Sequence, residues 1–146
     1  MGELSRQIVW ATSLGGGNFE MFTRFLEDYR DFELQFADMT LARRYIESLP
    51  FTGMDPMNEL VSDAESYVFA QPGEVYTVYT PDAALFGLDL RDVDGEFQAS
   101  WLDPVTGEIT EQGPLTGGEV VEFEPPLEGD NVLYVGREPL AERWQP

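Results

Sequence analysis

Carboxylates are the side chains with which this sequence could carry out chemistry. It has 28 Asp and Glu residues, no histidine and no cysteine, and its 8 basic residues are all arginine. Without imidazole or thiol groups it has no Ser-His-Asp site, no thiol nucleophile and no metal centre built on His or Cys ligands. Any catalysis would rest on carboxylates, tyrosine or arginine.

One stretch combines a glycine loop with polar side chains that suit sugar hydroxyls. Gly15–Gly17 provide a backbone that can approach a ligand closely, Asn18 and Glu20 follow it, and Arg30 lies further along. Each feature has a structural alternative: a tight turn for the glycines, a solvated acid for Glu20 and an ion pair with a neighbouring carboxylate for Arg30. Asn18, Glu20 and Arg30 are candidates for carbohydrate contacts, and no residue is assigned as catalytic.

Trp101 is the fourth candidate for carbohydrate binding. An aromatic face suits the apolar face of a sugar ring, and Tyr76 and Tyr79 have the same property. Trp101, however, lies in a segment of alternating polarity, where one face of a strand packs into a core. The core role is therefore the alternative for Trp101.

Clustered acids raise the question of a calcium site. Asp92, Asp94 and Asp103 could supply hard oxygen ligands, but their spacing is not that of an EF-hand loop. Acids that form turns or face solvent are the favoured explanation for them. The sequence therefore predicts no metal ion and no cofactor.

The charge balance restricts the classes of partner. A formal net charge of −20 repels phosphate backbones and anionic lipid, which argues against nucleic acid and membrane surfaces as partners. Adaptation to high salt explains such acidity, as does an acidic secreted or bacterial protein. The N-terminal segment lacks the pattern of a signal peptide, and its apolar run is too short to span a bilayer.

Residues 66–135 have the pattern of an all-β domain. Short segments of strand composition alternate with turn residues at a spacing of roughly 8–12 residues, which is typical of a β-sandwich or barrel. We predict seven strands in the segments SYVFA, EVYTVYT, LFGLDL, EFQASWLD, EITEQGPL, EVVEFE and DNVLYVG.

The first sixty residues have a different pattern. Gln7–Leu14 is an apolar run that favours a strand buried on both faces, with a helical segment as the alternative. Phe32–Leu49 has apolar spacings of three and four and is predicted to be a helix, which Asp28 or Asp31 could cap and Pro50 ends. A second apolar face on this helix, with Leu34, Leu41 and Tyr45, implies neighbours on more than one side.

Three regions follow from these patterns. Residues 1–60 hold a strand, a glycine loop and a helix, with a turn at Asp55–Pro56; residues 61–137 hold the β-sandwich; and residues 138–146 form a short tail that we expect to be poorly ordered. The predicted fold class is mainly β, an antiparallel sandwich of about seven to eight strands.

Several motifs together resemble a known family. The hairpin around Pro72–Glu74, the turn Trp101–Gly107 and the Pro125–Pro126 pair before Asn131–Val135 resemble the C-terminal β-sandwich of apiosidase-like glycoside hydrolases, a module labelled as a collagen-binding domain. The resemblance covers roughly residues 6–136, and the turn and the hairpin are its most specific parts. It implies that residues 1–60 are a strand-loop-helix remnant of a (β/α)8 barrel.

The resemblance implies a function in carbohydrate metabolism without catalysis by this chain alone. One strand and one helix cannot form a barrel active site, so no catalytic residue is carried over. The expected role is a sandwich that supports a barrel and assists glycan binding, with a secreted or periplasmic location. A second chain or a second copy would cover the remnant. The alternatives are a freestanding carbohydrate- or protein-binding module, and a glycosidase that uses Glu20 with another acid.

Overall fold

A computed structural model of the protein describes residues 2–17 and 33–146. Within these ranges two α-helices precede the strands and a short one follows them, and two single-turn 3₁₀ helices, Phe51–Gly53 and Asn58–Leu60, flank the first strand. The helices are α1 (Gly2–Leu14), α2 (Glu33–Ser48) and α3 (Leu140–Arg143). The strands are β1 (Asp55–Pro56), β2 (Tyr67–Gln71), β3 (Val75–Thr80), β4 (Phe86–Asp89), β5 (Glu96–Leu102), β6 (Ile109–Thr116), β7 (Val120–Phe123) and β8 (Asn131–Gly136).

The strands form two antiparallel sheets that face each other. The large sheet has the order β1-β2-β3-β8-β5-β6, and the small one pairs β4 with β7. The predicted β-sandwich is therefore confirmed, and all seven predicted segments are strands. Its two sheets are unequal, so the small sheet covers only part of one face of the large one.

Alternation along the central strands produces two separate cores. In β3, Val75 and Tyr79 face the helices, whereas Tyr76 and Val78 face the small sheet. Every residue of β3 and β8 is buried because both strands are covered on both faces. The fold is thus three layers: helices, large sheet and small sheet.

The core between the sheets is aromatic at its centre. The ring centroid of Phe86 lies 6.3 Å from that of Trp101 and 6.0 Å from that of Phe123. The rings of Tyr76 and Phe97 meet edge-on, with centroids 6.1 Å apart. Edge-on and tilted pairs of this kind place the positive ring edge against the negative face of the neighbour. The contacts of Phe86 and Phe123 with Trp101 hold the small sheet against strand β5 of the large one.

The prediction of a strand at Gln7–Leu14 is wrong, because these residues belong to α1. In a helix only one side of the run is buried: Trp10 and Leu14, one turn apart, are fully buried, whereas Ile8 is 47% exposed. Gly15 and Gly17 end the helix by donating to carbonyls of its last turn, and Gly16 has the left-handed φ of 74°. Without this strand, the barrel remnant in its predicted strand-loop-helix form is absent from the described residues.

The turn predicted at Asp55–Pro56 is also wrong, since these two residues form the edge strand β1. Asp55 lies opposite Ala70 and Pro56 opposite Phe69. Proline has no N–H to donate and is tolerated at the edge of a sheet, where its missing donor faces away from the ladder. The edge position explains how a proline-containing segment joins the sheet.

Helix α2 is confirmed, and its two apolar faces have different environments. Tyr45 is fully buried and its hydroxyl lies 2.8 Å from the Thr77 hydroxyl on the large sheet. On the other face Met39 and Ile46 are partly buried against the same core, whereas Phe36 is 44% exposed. The proposed caps Asp28 and Asp31 lie outside the described residues.

The tail is ordered, contrary to the sequence prediction. Leu140, the first residue of α3, and Trp144, which directly follows α3, are buried in the same core as the two long helices. In residues 2–17 and 33–146, no helix is long and apolar enough to cross a membrane.

Candidate functional site: a groove on the helical face

A groove with a volume of about 560 Å³ opens between the two long helices and the edge of the large sheet. Its size and its mainly apolar lining are typical of ligand-binding clefts. The end of α1, the following glycines, one side of α2, the first 3₁₀ helix and β2 contribute its lining: Val9, Ser13, Gly16, Gly17, Phe36, Met39, Thr40, Arg43, Ile46, Glu47, Phe51 and Phe69.

Aromatic rings form the most accessible part of this lining. Phe36 is 44% exposed and Phe51 is 43% exposed, whereas Phe69 is almost fully buried on the sheet. Large apolar side chains this exposed mark contact surfaces when they lie together at a concave site. The two phenylalanines therefore provide open ring faces at the groove.

Polar groups at the groove come mainly from α2. Arg43 donates from Nε to Oε1 of Glu47 at 2.8 Å, a pair one helical turn apart, and both side chains remain largely exposed. Thr40 adds a hydroxyl, while the Ser13 hydroxyl already donates to the Val9 carbonyl at 2.7 Å. The groove thus offers an apolar floor with hydrogen-bonding groups beside it.

Helix α1, one wall of the groove, is fixed to the sandwich by a buried polar cluster. Arg6 donates from Nε and Nη2 to the two carboxylate oxygens of Asp130 at 2.8 and 2.7 Å, and the Tyr79 hydroxyl donates to Asp130 at 3.0 Å. Asp130 is 4% exposed. A bidentate Arg–carboxylate pair of this kind specifies orientation as well as position.

A second carboxylate, Asp38 on α2, lies beside this cluster and is 8% exposed. Burial raises its pKa above the ordinary value, the positive charge of Arg6 opposes the rise, and the negative charge of Asp130 adds to it. A raised pKa means that the folded protein binds this proton more readily than the unfolded chain does. Charged Asp38 therefore costs stability above its folded pKa, and the cost disappears as the pH falls through that pKa toward 3.8.

We expect Asp38→Asn to stabilise the protein at pH 7. The substitution removes the buried charge, so the melting temperature should rise relative to the wild type, and the difference should shrink as the pH falls toward 3.8. Thermal unfolding followed by circular dichroism across pH 4–7 measures both effects. Asp55→Asn, at an exposed position, is the control, and equal shifts in the two variants would contradict this account of Asp38.

The sequence-predicted carbohydrate contacts divide into two groups. Asn18, Glu20 and Arg30 lie outside the described residues, although Gly17, which directly precedes Asn18, lines the groove. Trp101 is 3% exposed and donates from Nε1 to the Gln112 side-chain oxygen at 2.9 Å. Its ring is packed between the sheets and presents no open face to a sugar. Trp101 is therefore a core residue, as the alternative to sugar stacking predicted.

The remaining aromatic and acidic candidates have structural roles. Tyr76 and Tyr79 are buried, one in each core. Asp103 accepts the backbone N–H of Val105 at 2.7 Å and that of Thr106 at 3.2 Å, as a turn-forming aspartate does. Across residues 2–17 and 33–146 no group of three or more acids is placed to hold a metal ion.

Several residues of the site have no local sequence signal. Met39, Arg43 and Ile46 belong to the predicted helical stripe, but Phe51 and Phe69 come from a turn and a strand that the fold brings alongside. Arg6 and Asp130 are 124 positions apart. Only the tertiary structure joins these groups.

Comparison with solved structures supports the fold. A structure described as "Glycoside hydrolase" matches 78% of this chain with a TM-score of 0.65 and 15% identity, and a glycoside hydrolase family 5 structure from Bacteroides vulgatus ATCC 8482 matches 70% with a TM-score of 0.62 and 18% identity. The chain spans 28% and 24% of those two chains, about a quarter of their length. At these identities the similarity concerns the fold. No curated protein is significantly similar in sequence.

The sequence of the sandwich itself matches a family model. The match covers residues 56–135, which is more than half of the chain, and runs from β1 into β8. The model is that of the "Putative collagen-binding domain of a collagenase". The antiparallel sandwich and this match lead to the same conclusion, and the chain belongs to that collagen-binding domain family.

Proposed function

We propose that this chain is a non-catalytic module of a carbohydrate-active protein and that the groove on its helical face binds an uncharged glycan. The observation that carries the proposal is the pair of half-exposed rings, Phe36 and Phe51, beside the Arg43–Glu47 ion pair. Aromatic faces pack on the apolar faces of sugars, and the charged pair and the Thr40 hydroxyl can hydrogen-bond sugar hydroxyls.

The charge of the protein narrows the glycan class. A net charge of −20 repels polyanions such as uronic-acid polymers. Each arginine of the described residues also already has a carboxylate, backbone-carbonyl or aromatic partner, as seen for Arg6, Arg43, Arg91 and Arg137. An uncharged glycan avoids this repulsion, and its binding should depend little on salt.

The assignment of the larger protein to the apiosidase-like glycoside hydrolases is part of the same proposal. The hairpin at Pro72–Glu74 and the Trp101–Gly107 turn support an apiosidase-like glycoside hydrolase as the larger context, with a secreted or periplasmic location. In that context the module supports a catalytic barrel, supplied as a further domain or a separate chain. Similarity to much longer glycoside hydrolase chains favours this arrangement.

Binding of a protein ligand is the second candidate. The family description names collagen, and the groove lining is largely apolar, which suits protein side chains as well as sugars. The two candidates differ in the ligand that should retain the chain, so one assay separates them.

Retention of the purified chain on cellulose, xylan, mixed-linkage β-glucan, polygalacturonate and type I collagen tests the proposal. We expect retention on an uncharged polysaccharide, and we expect Phe36→Ala/Phe51→Ala to weaken it by about tenfold or more, because both ring contacts are lost. Leu85→Ala/Leu127→Ala removes exposed apolar side chains away from the groove and is the matched control. Retention on collagen alone would replace the first candidate with the second.

The non-catalytic part of the proposal has its own readout in the same samples. Aryl glycosides and the retained polysaccharide should release no product above background. Turnover that scales with protein concentration and disappears in Glu20→Gln would instead establish the glycosidase alternative.

A further inference from the structure

The tail that follows β8 is attached to the rest of the molecule by specific contacts. The Tyr134 hydroxyl of β8 donates to the Glu138 carbonyl at 2.7 Å, and an ion pair between Arg143 and Glu138 at 3.1 Å stabilises the tail internally. Leu140 is fully buried and Trp144 is 3% exposed. A short segment that buries two large apolar side chains is a docked element rather than a free end.

Trp144 sits against the turn between β5 and β6. Its Nε1 donates to the Gly107 carbonyl at 3.0 Å in a buried environment. Gly107 has a φ of 77°, and a side chain there would meet Leu41 at 3.0 Å and the Trp144 ring at 3.3 Å. Both the conformation and the space therefore require glycine at this position.

Hydrogen bonds within the turn orient the Gly107 carbonyl toward Trp144. Gly107 donates its N–H to the Asp103 carbonyl at 2.8 Å, while the Asp103 side chain holds the amides of Val105 and Thr106. These bonds shape the turn from within, and the Trp144 ring packs against Gly107 from outside. In the Asp103–Gly107 part of the sequence motif, the Gly107 carbonyl is therefore already positioned to accept a hydrogen bond from an indole N–H.

The opposite side of the indole contacts α2. The Arg44 guanidinium lies 5.3 Å from the centre of the Trp144 ring, and Tyr45 meets the ring edge-on at 6.1 Å. Arg44 also donates to the Gln145 carbonyl at 3.4 Å. Trp144 is therefore held between α2 and the turn and contacts both.

We infer that residues 138–146 act as a clasp that fixes α2 to the β5–β6 turn and thereby sets the position of the groove. The residues of α2 that hold Trp144 are Arg44 and Tyr45, whereas neighbouring positions on the same helix, Arg43 and Glu47, line the groove. A rigid helix transmits a shift on one side to the other. The effect on the groove rests on the proposed glycan-binding function, but the clasp itself does not.

Hydrogen exchange of the full-length Trp144→Ala variant, without any ligand, tests the clasp. We expect amides in the second half of α2 and in the turn at residues 103–107 to exchange about tenfold faster or more, because one buried hydrogen bond and the packing around it are lost. Amides of β3 and β8 should keep their wild-type protection. Free indole should restore protection by filling the space that the Trp144 ring leaves, and 1-methylindole, which lacks the N–H, should restore less.

Two results would overturn the inference: wild-type protection of α2 and the turn in folded Trp144→Ala, or faster exchange spread evenly over β3 and β8. If Trp144→Ala does not fold, Trp144→Phe retains an aromatic ring without the N–H, and wild-type protection in that variant has the same meaning. Retention on polysaccharide is measured separately. A failure of glycan binding with an intact exchange result would therefore reject the proposed function and leave the clasp in place.

Discussion

Asp130→Ala is expected to lower the free energy of unfolding by about 3–5 kcal/mol, the usual cost of removing one partner of a buried ion pair. The carboxylate accepts two hydrogen bonds from Arg6 and one from Tyr79, and it is 4% exposed. Its removal leaves a guanidinium that is 15% exposed without its principal acceptor. Because the pair joins α1 to the start of β8, the loss should also loosen the groove wall.

Urea unfolding measures this change, and the chain offers a matched control. Arg91 and Asp89 form a similar two-point pair, at 3.0 and 2.7 Å, on the surface. Water and salt screen that pair, so Asp89→Ala should have a much smaller effect. Equal losses in the two variants would show that the Arg6–Asp130 pair is not buried in solution.

Trp10→Ala is expected to destabilise the protein by about 3–5 kcal/mol, as large-to-small substitutions of buried aromatics do. The ring is fully buried, stacks on Tyr79 with centroids 6.1 Å apart and lies 5.7 Å from Tyr45. Within the described chain its Nε1 has no hydrogen-bond partner, so the cost comes from packing alone. The side chain joins α1, α2 and the large sheet.

Ile8→Ala on the same helix is the control for Trp10→Ala. Ile8 is 47% exposed, so its truncation should change the free energy of unfolding by no more than about 0.5 kcal/mol. Chemical denaturation of both variants gives the comparison. A small effect of Trp10→Ala, similar to that of Ile8→Ala, would mean that α1 is not part of the cooperative unit.

The strands were predictable because their signal is local. Strand-forming residues bounded by turn residues are present in each segment, and the period of two along β3 separates Val75 and Tyr79 in one core from Tyr76 and Val78 in the other. Helix α2 was predictable for the same reason. Its two apolar faces predicted neighbours on more than one side; Tyr45 on one face is buried, whereas Phe36 on the other is 44% exposed.

The sequence predictions were wrong where tertiary contacts determine the local structure. A short apolar run fits a buried strand or one side of a helix equally well, and the fit of Trp10 against Tyr79 is a property of the assembled fold. The two-residue strand β1 exists only as a partner of β2. The tail appeared polar and short, and the role of Trp144 depends on a glycine carbonyl 37 positions away.

The groove, too, was predictable only where its residues belong to a local sequence pattern. Its α2 side follows from the helical stripe, but Phe51 and Phe69 reach it through the sheet edge, and no pattern within either segment indicates the other. The sequence instead suggested Trp101, whose aromatic type fits sugar stacking but whose position between the sheets does not. Residue type identified the chemistry, and burial decided which aromatic residues are accessible.

Hydrogen exchange of the wild-type chain in the presence and absence of the polysaccharide or collagen that retains it locates the contact surface most directly. We predict protection confined to peptides that cover the end of α1, residues 36–47 of α2 and Phe51. The contrary result is protection at the turns around Arg137, which joins Gly73, Asp94 and Glu96 at one end of the sandwich, with no change at the groove. That outcome would place the binding function on the loops and not on the helical face.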